Sequence, residues 1–308
     1  KDYFIIFTIM QRVNKLWGLP ASFTRFPGSQ PVSIERRHFS LLKQHQYLIC
    51  DKTDGERFLL YIDTVKDERV CALINRKSEF NHIKLRPPRD CYKGTILDGE
   101  VVEEEGKKIF LVFDVVAWGG KSVATQPFPE RIKFISDNHR KFIRSPKDEV
   151  RIRPKVFGHM KDAMLYKKQH IPTLKYGTDG YILTPILDPV QTGTHKTMFK
   201  WKPLLENTID FLVKPTTWQK DGVYDMFIQE KGDLIFQTHL KMEGLEQQWH
   251  DIIASCDTPI LECKYENGEW TPVRHRDDKT YPNSRFVFYR TLTNIQEDIK
   301  ENELLSIK

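Results

Sequence analysis

The hexapeptide Lys52-Thr53-Asp54-Gly55-Glu56-Arg57 lies between two apolar runs, in LICDKTDGERFLLYI at 48–62. Two readings of it are open. Asp-Gly between apolar runs is the strongest short-range signal for a hairpin turn, and the lysine then merely sits beside it. Alternatively the lysine is a nucleophile. A lysine amine can attack the α-phosphate of a nucleoside triphosphate and expel pyrophosphate, leaving a phosphoramidate. The amine must be neutral to attack, and its unperturbed pKa is about 10.4. Nearby positive charge lowers that value, and the same charge neutralises the phosphates as pyrophosphate departs. A nucleophile of this kind therefore predicts further lysines and arginines on strands that can converge on it.

Such residues are present. Lys200-Trp201-Lys202 puts two lysines at i and i+2, on one face of a strand. Alone, that is equally an exposed strand with two snorkelling stems. The stretch WTPVRHRDDKTYPN carries Arg274, Arg276, Asp278 and Lys279 beside a Pro-Asn turn. Glu100, in LDGEVV, could accept hydrogen bonds from ribose hydroxyls. Asp179, in TDGYIL, could hold Mg²⁺ through its water shell. Phe113, in LVFDVV, could stack on a base. WGGKS at 118–122 has the ending of a phosphate-binding loop, but the required spacing needs glycine at 115, where Val115 stands. It reads as a turn. Residues 131–155 hold nine Lys/Arg against three Asp/Glu, which suits an RNA-backbone surface and a solvated helix face equally.

The elements that must position these residues are legible in outline. The chain has 308 residues, 39% hydrophobic and 29% charged, enough for one large or two medium domains. A net charge of +6 suits a polyanionic partner without demanding one. Five cysteines without a C-x-x-C pair argue for reduced thiols and against structural zinc. No apolar run approaches the roughly 18–20 residues that cross a bilayer, so no membrane is expected. No signal peptide is visible. The chain starts at Lys1, already in the apolar segment Phe4-Ile5-Ile6-Phe7, and reads as a piece of a longer polypeptide. Short apolar runs between charged turns predict strands from 47 to 118 and again at 150–156, 180–184 and 197–202. A helix is predicted over 129–144, with Ile132, Ile135, Phe142 and Ile143 on its apolar side. After Pro203, five or so short strands and one helix near 243–256, in about 85 residues, suit a small OB-type barrel. The tail reads as a closing helix capped by Thr293, with Ile295 and Ile299 inward.

Taken in order, the motifs resemble the covalent nucleotidyltransferases, the superfamily of mRNA capping enzymes and ATP-dependent ligases. The resemblance runs from about Phe26 to Asn283. Lys52 to Arg57 is similar to the nucleophile motif K-x-D-G-x-R. INR at 74–76 resembles the next, with Arg76 its arginine. LDGEVV, FDVVAW, TDGYI, FKWKP and RHRDDKTYPN complete the series. FPGSQPVS at 26–33, aspartate at 179, KWKP leading into NTIDF, and the full R-x-D-K-x-x-P-N resemble the mRNA guanylyltransferase branch more than the ligases, which stay the alternative. The wording GTHKTMFKWKP is closest in style to large-DNA-virus members.

The resemblance implies an α+β fold. A nucleotidyltransferase domain of antiparallel sheets with flanking helices would span 1–204. An OB-fold β-barrel would span 205–290, and a C-terminal helix over 291–308 would pack back on the body. It implies that Lys52 attacks GTP, forms lysyl-GMP, and passes GMP to the 5′-diphosphate end of RNA. Arg57 and Glu100 would hold the ribose, Phe113 would stack on guanine, and Lys155, in RPKVF, would read the base. Lys200 and Lys202 would contact the α-phosphate, and Arg76 a phosphate. Asp179 would place Mg²⁺ or Mn²⁺. Arg276, Asp278 and Lys279, from the other domain, would orient the β,γ-phosphates, which requires a cleft that closes and reopens. RNA triphosphatase and methyltransferase activities would lie on the same parent chain or on a partner. The setting would be intracellular: host cytoplasm or virion for a viral source, the nucleus for a cellular one.

Overall fold

A computed structural model of the chain describes residues 2–216 and 222–308; Lys1 lies outside them. A long helix α1 (Asp2–Trp17) precedes β1 (Ser29–Ser33) and a short α2 (Phe39–Gln44). Next come β2 (Tyr47–Thr53), β3 (Glu56–Val65), β4 (Glu68–Ile74), β5 (Phe80–His82), β6 (Thr95–Glu104), β7 (Lys107–Trp118) and β8 (Lys121–Ser122). Then follow α3 (Phe128–Asn138), β9 (Arg151–Pro154), β10 (Gly158–His159), α4 (Ala163–Gln169), β11 (Thr178–Pro185) and β12 (Gly193–Trp201). The remainder is β13 (Thr208–Pro215), β14 (Val223–Glu230), β15 (Asp233–Lys241), α5 (Gln247–Ser255), β16 (Ile260–Glu266), β17 (Glu269–His275), α6 (Arg285–Glu297) and α7 (Glu301–Leu305). The fold is α+β. The chain divides into two units. One holds residues up to Val32, His38–Trp201 and Leu305–Lys308; the other holds Ser33–Arg37 and Lys202–Leu304.

The first unit contains two sheets. One runs β5-β4-β3-β6-β7-β8, with β9 added in parallel on β7. Its centre is buried on both faces, which explains the unbroken apolar run FLLYI. Phe58, Leu60 and Ile62 face Leu97, Val112, Ile135 and Phe142. The alternate residues, Leu59 and Tyr61, face Ile9, Val13 and Trp17 of α1. The other sheet runs β1-β12-β11-β2-β10.

The Asp54-Gly55 step is not a hairpin. β2 pairs with β10 and β11, and β3 pairs with β4 and β6. Both edges of each strand are taken, so the two cannot pair with each other. The chain instead crosses here from one sheet to the other. Gly55 is needed because a Cβ would lie 2.8 Å from the Val101 carbonyl oxygen and 2.9 Å from Val102 Cγ1. WGGKS is a turn as expected: Trp118 pairs with Lys121 across Gly119-Gly120, both at positive φ. The helix predicted over 129–144 stops at Asn138, whose side-chain amide donates to the Phe134 carbonyl (2.7 Å) and competes with the next helical turn. Phe142 is still buried, but Ile143 is 63% exposed.

The second unit has one sheet, ordered β15-β14-β13-β16-β17, with α5 between β15 and β16. This order is consistent with an OB-fold, but among the described residues no ladder joins β15 to β17. The sheet is therefore not a closed barrel. Lys241 and Glu269 form an ion pair between those two edge strands. The tail also differs from expectation. Thr293 lies inside α6, and the cap is Ser284, whose hydroxyl accepts from the Val287 N–H. Asp298, at φ 41°, ends that helix, and α7 follows as a separate segment.

Candidate active site

Lys52 is the next-to-last residue of β2, and its Nζ donates to Asp179 Oδ1 at 2.6 Å. A bulge makes that contact. The β2–β11 register slips between Thr178 and Tyr181, and Gly180 sits at φ 138°. Few side chains tolerate that conformation, and bulges re-aim neighbouring side chains. This is the structural content of the TDG wording. Across β11, Ile182 pairs with both Cys50 and Lys200. Alternation then puts Lys52 and Lys200 on one face of the sheet.

Glu100 stands opposite Arg57 in the β3–β6 ladder. Its carboxyl has no hydrogen-bond or ion-pair partner among the described residues. Burial pushes its pKa up to about 7, although Lys155, Lys52 and Arg57 all pull it down. Arg76 is exposed and likewise unpaired among the described residues. Desolvation and the Arg57 charge push its pKa below the ordinary arginine value. Phe113 is half-buried, with the Arg57 guanidinium 5.1 Å from its ring centroid. A base could therefore stack only on the other face of that ring.

Arg57 itself is committed to the protein. Its Nε and Nη2 donate to Asp98 at 2.9 and 2.7 Å, and Nη1 donates to the Ser29 carbonyl at 2.7 Å. The expected ribose contact therefore competes with a buried bidentate pair, and the arginine's visible work is to brace Phe113. Asp98 pairs across the ladder with Asp114, which in turn takes a bidentate contact from the buried Arg131. The basic stretch from 131 thus includes one arginine that is core, not surface.

Lys155 lies on the other side of the strand. It is buried, ion-paired to Asp51 Oδ2 at 2.9 Å and hydrogen-bonded to Thr53. Asp51 and Thr53 flank Lys52 and point to the opposite face of β2. Asp51 Oδ1 also accepts from Tyr166 and Tyr176, each at 3.4 Å. Lys155 belongs to a polar network beneath the lysine.

In the second unit, Arg276, Asp278 and Lys279 gather on Asp210 of β13. Arg276 Nη1 reaches both Asp210 oxygens at 3.1 Å, and Lys279 donates to the same carboxylate. Arg276 also holds Asp278 through two bonds of 2.8 and 2.9 Å. The Arg276 hydrogen bond keeps Asp278 well below the usual carboxylate range. Asn283 closes the motif: its backbone N–H donates to the Asp210 carbonyl, and its side-chain oxygen accepts from the Asp210 N–H, both at 2.8 Å.

Two family models match consecutive parts of the chain. Residues 7–204 match the mRNA capping enzyme catalytic domain, and residues 206–305 match the mRNA capping enzyme C-terminal domain. The chain belongs to the mRNA capping enzyme family. It is a nucleotidyltransferase, and its reaction is guanylyl transfer. The mRNA-capping enzyme subunit alpha of Schizosaccharomyces pombe is 29% identical over 96% of this chain and 82% of its own length. The mRNA-capping enzyme of Danio rerio is 27% identical over 91% of this chain but only 49% of its own length. Among solved structures, a mycobacterial DNA ligase D complexed with ATP and MES is 13% identical, with a TM-score of 0.44, over 83% of this chain and 98% of that one. The two relatives are fungal and animal, and they lend nothing to the viral wording of 193–203. No helix among the described residues is long and apolar enough to cross a membrane.

In this capping-family chain, the structure brings Lys52, Asp179, Glu100, Arg57, Arg76 and Phe113 together, with Lys200 on the same sheet face. Sequence reading missed Asp51, Asp98 and Asp210, the three carboxylates that hold Lys155, Arg57 and Arg276 respectively. Period-two alternation was the available signal for Asp51, which shares a strand face with the buried Tyr47 and Ile49.

Proposed function

We propose that Lys52 is the nucleophile of the guanylyl transfer. The Nζ lone pair forms a bond to the α-phosphorus of GTP. The bond from that phosphorus to the β-bridging oxygen breaks, pyrophosphate leaves with the electron pair, and the amine proton passes to water. An oxygen of the RNA 5′-diphosphate then attacks the same phosphorus, the P–N bond breaks, and Lys52 regains a proton. The product carries a 5′–5′ triphosphate cap. The observation that carries this reading is the Lys52–Asp179 contact on the sheet face that also bears Lys200.

Glu100 serves the ribose hydroxyls, Phe113 takes guanine on its open face, and Lys200, Lys202 and Arg76 serve phosphates. Arg57 braces Phe113. Arg276, Asp278 and Lys279 are assigned to the β,γ-phosphates by resemblance. Among the described residues no three His, Cys, Asp or Glu side chains gather into a metal cluster. Asp179 offers one carboxylate, which is how magnesium is usually held beside nucleotide phosphates. These residues fit a divalent ion, Mg²⁺ or Mn²⁺, that arrives with GTP. When bound, it would neutralise phosphate charge. Triphosphatase and methyltransferase activities are supplied by the parent chain or a partner, and for a cellular source like the relatives' the place of action is the nucleus.

Incubation with radiolabelled GTP or ATP, followed by a denaturing gel, tests the reading. GTP label retained by the wild type and lost in Lys52→Ala is expected. Label from ATP but not GTP refutes guanylyl transfer. Undiminished labelling of Lys52→Ala refutes the nucleophile.

A further inference from the structure

The tip of the β6–β7 hairpin and the loop from 144 to 151 together line a surface cavity of about 620 Å³. Lys107, Lys108, Arg144 and Arg151 stand around it, all exposed. None of the four side chains has a hydrogen bond or ion pair among the described residues. Glu103 faces Lys108 across the ladder without closing a salt bridge. The two acids on the cavity wall are turned to backbone instead. Asp148 accepts from the Ser145 N–H at 2.7 Å, and Glu149 accepts from the Lys84 N–H at 3.2 Å. By contrast, Arg57, Arg131 and Arg153 of the same unit each hold a carboxylate. A cluster of cations around a concavity, none of them closed into an ion pair, is the footprint of a polyanion.

We propose that this cavity holds the backbone of the acceptor RNA a few nucleotides beyond its 5′ end, which rests on the reaction proposed above. β7 itself sets the distance. Lys108 and Phe113 lie five residues apart on that strand, or about 17 Å at ~3.3 Å per residue. About five stacked nucleotides span that length. The cavity would then raise affinity for RNA without touching the reacting phosphate, and an acceptor too short to reach it would gain nothing.

The test compares wild type with the triple variant Lys108→Ala, Arg144→Ala, Arg151→Ala, using a 5′-diphosphate dinucleotide and a 5′-diphosphate RNA of about 20 nucleotides. The variant is expected to form enzyme–GMP from GTP at the wild-type rate and to cap the dinucleotide unchanged. Its KM for the long RNA should rise at least about 10-fold, and the slope of log KM against log salt should shrink by about 2. An unchanged KM and slope for the long RNA overturn the proposal, as does an equal loss on both acceptors. Unchanged RNA kinetics with lost binding of an acidic phosphopeptide probe would also overturn it, assigning the surface to a protein. Absence of enzyme–GMP in the wild type would instead sink the guanylyl-transfer reading.

Discussion

Replacing Glu100 by glutamine should make the protein more stable and less active, and the two effects should separate by pH. The Glu100 carboxyl is half-buried without a hydrogen-bond or ion-pair partner among the described residues, and desolvation lifts its pKa from 4.5 to about 7. A carboxyl whose folded pKa is raised above the unfolded one favours folding only while protonated. That advantage is complete below about pH 4.5 and lost as pH rises through about 7. At 1.36 kcal/mol per decade of proton affinity, the gap corresponds to on the order of 3 kcal/mol. Glutamine fills the same volume without a charge. Glu100→Gln should match wild type near pH 4.5 and exceed it at pH 8, by several degrees in melting midpoint. Thermal melts across that pH range give the readout. The same variant should lose GTP labelling, because its amide cannot accept two ribose hydroxyls as a carboxylate does. GTP binding to wild type near pH 7 should release a proton, since hydrogen bonds from the ribose favour the ionised form. Calorimetry in two buffers of different ionisation enthalpy measures that release. If wild type and Glu100→Gln show parallel stability–pH curves between pH 4.5 and 8, the desolvated carboxyl is not the source of the effect and the reasoning fails.

Other outcomes follow from the packing around the lysine. Lys155→Met should cost about 3–5 kcal/mol by leaving Asp51 charged and buried alone. Lys155→Met combined with Asp51→Asn should recover part of that loss in a urea-melt double-mutant cycle. Gly55→Ala forces a Cβ to within 3 Å of the Val101 carbonyl. It should cost about 1–3 kcal/mol in the same melts and slow labelling by moving Lys52. Asp210→Asn removes the charge that Arg276 and Lys279 share. It should destabilise the second unit by about 3 kcal/mol in denaturant melts followed by the fluorescence of its tryptophans.

How far the sequence could be read depends on whether a residue's meaning is local. Lys52, Asp179, Lys200 and Arg276 could be singled out because each sits in a short motif of adjacent residues. The Asp54-Gly55 step was misjudged because a turn signal states only that the chain changes direction. Whether β2 and β3 then pair depends on β10, β11, β4 and β6, which lie far along the chain and fill every edge. Gly55 was therefore read as a turn former, when the structure needs it to pass close to β6.

The same distinction explains the missed carboxylates. Asp51 is one residue from Lys52, yet its partners, Lys155, Tyr166 and Tyr176, come from more than a hundred residues away. Asp210 lies in an ordinary strand and acquires its meaning from Arg276, Lys279 and Asn283. A cation that must meet phosphate has to be held still before the phosphate arrives. In a low-dielectric interior a carboxylate partner does that without leaving a buried charge uncompensated. Each motif cation buried inside a unit thus implies an acid the motif does not contain. Arg57 has Asp98, Lys155 has Asp51 and Arg276 has Asp210. The exposed cations of the β6–β7 tip have no such acid, and it is this lack that marks them as waiting for an anion from outside the chain.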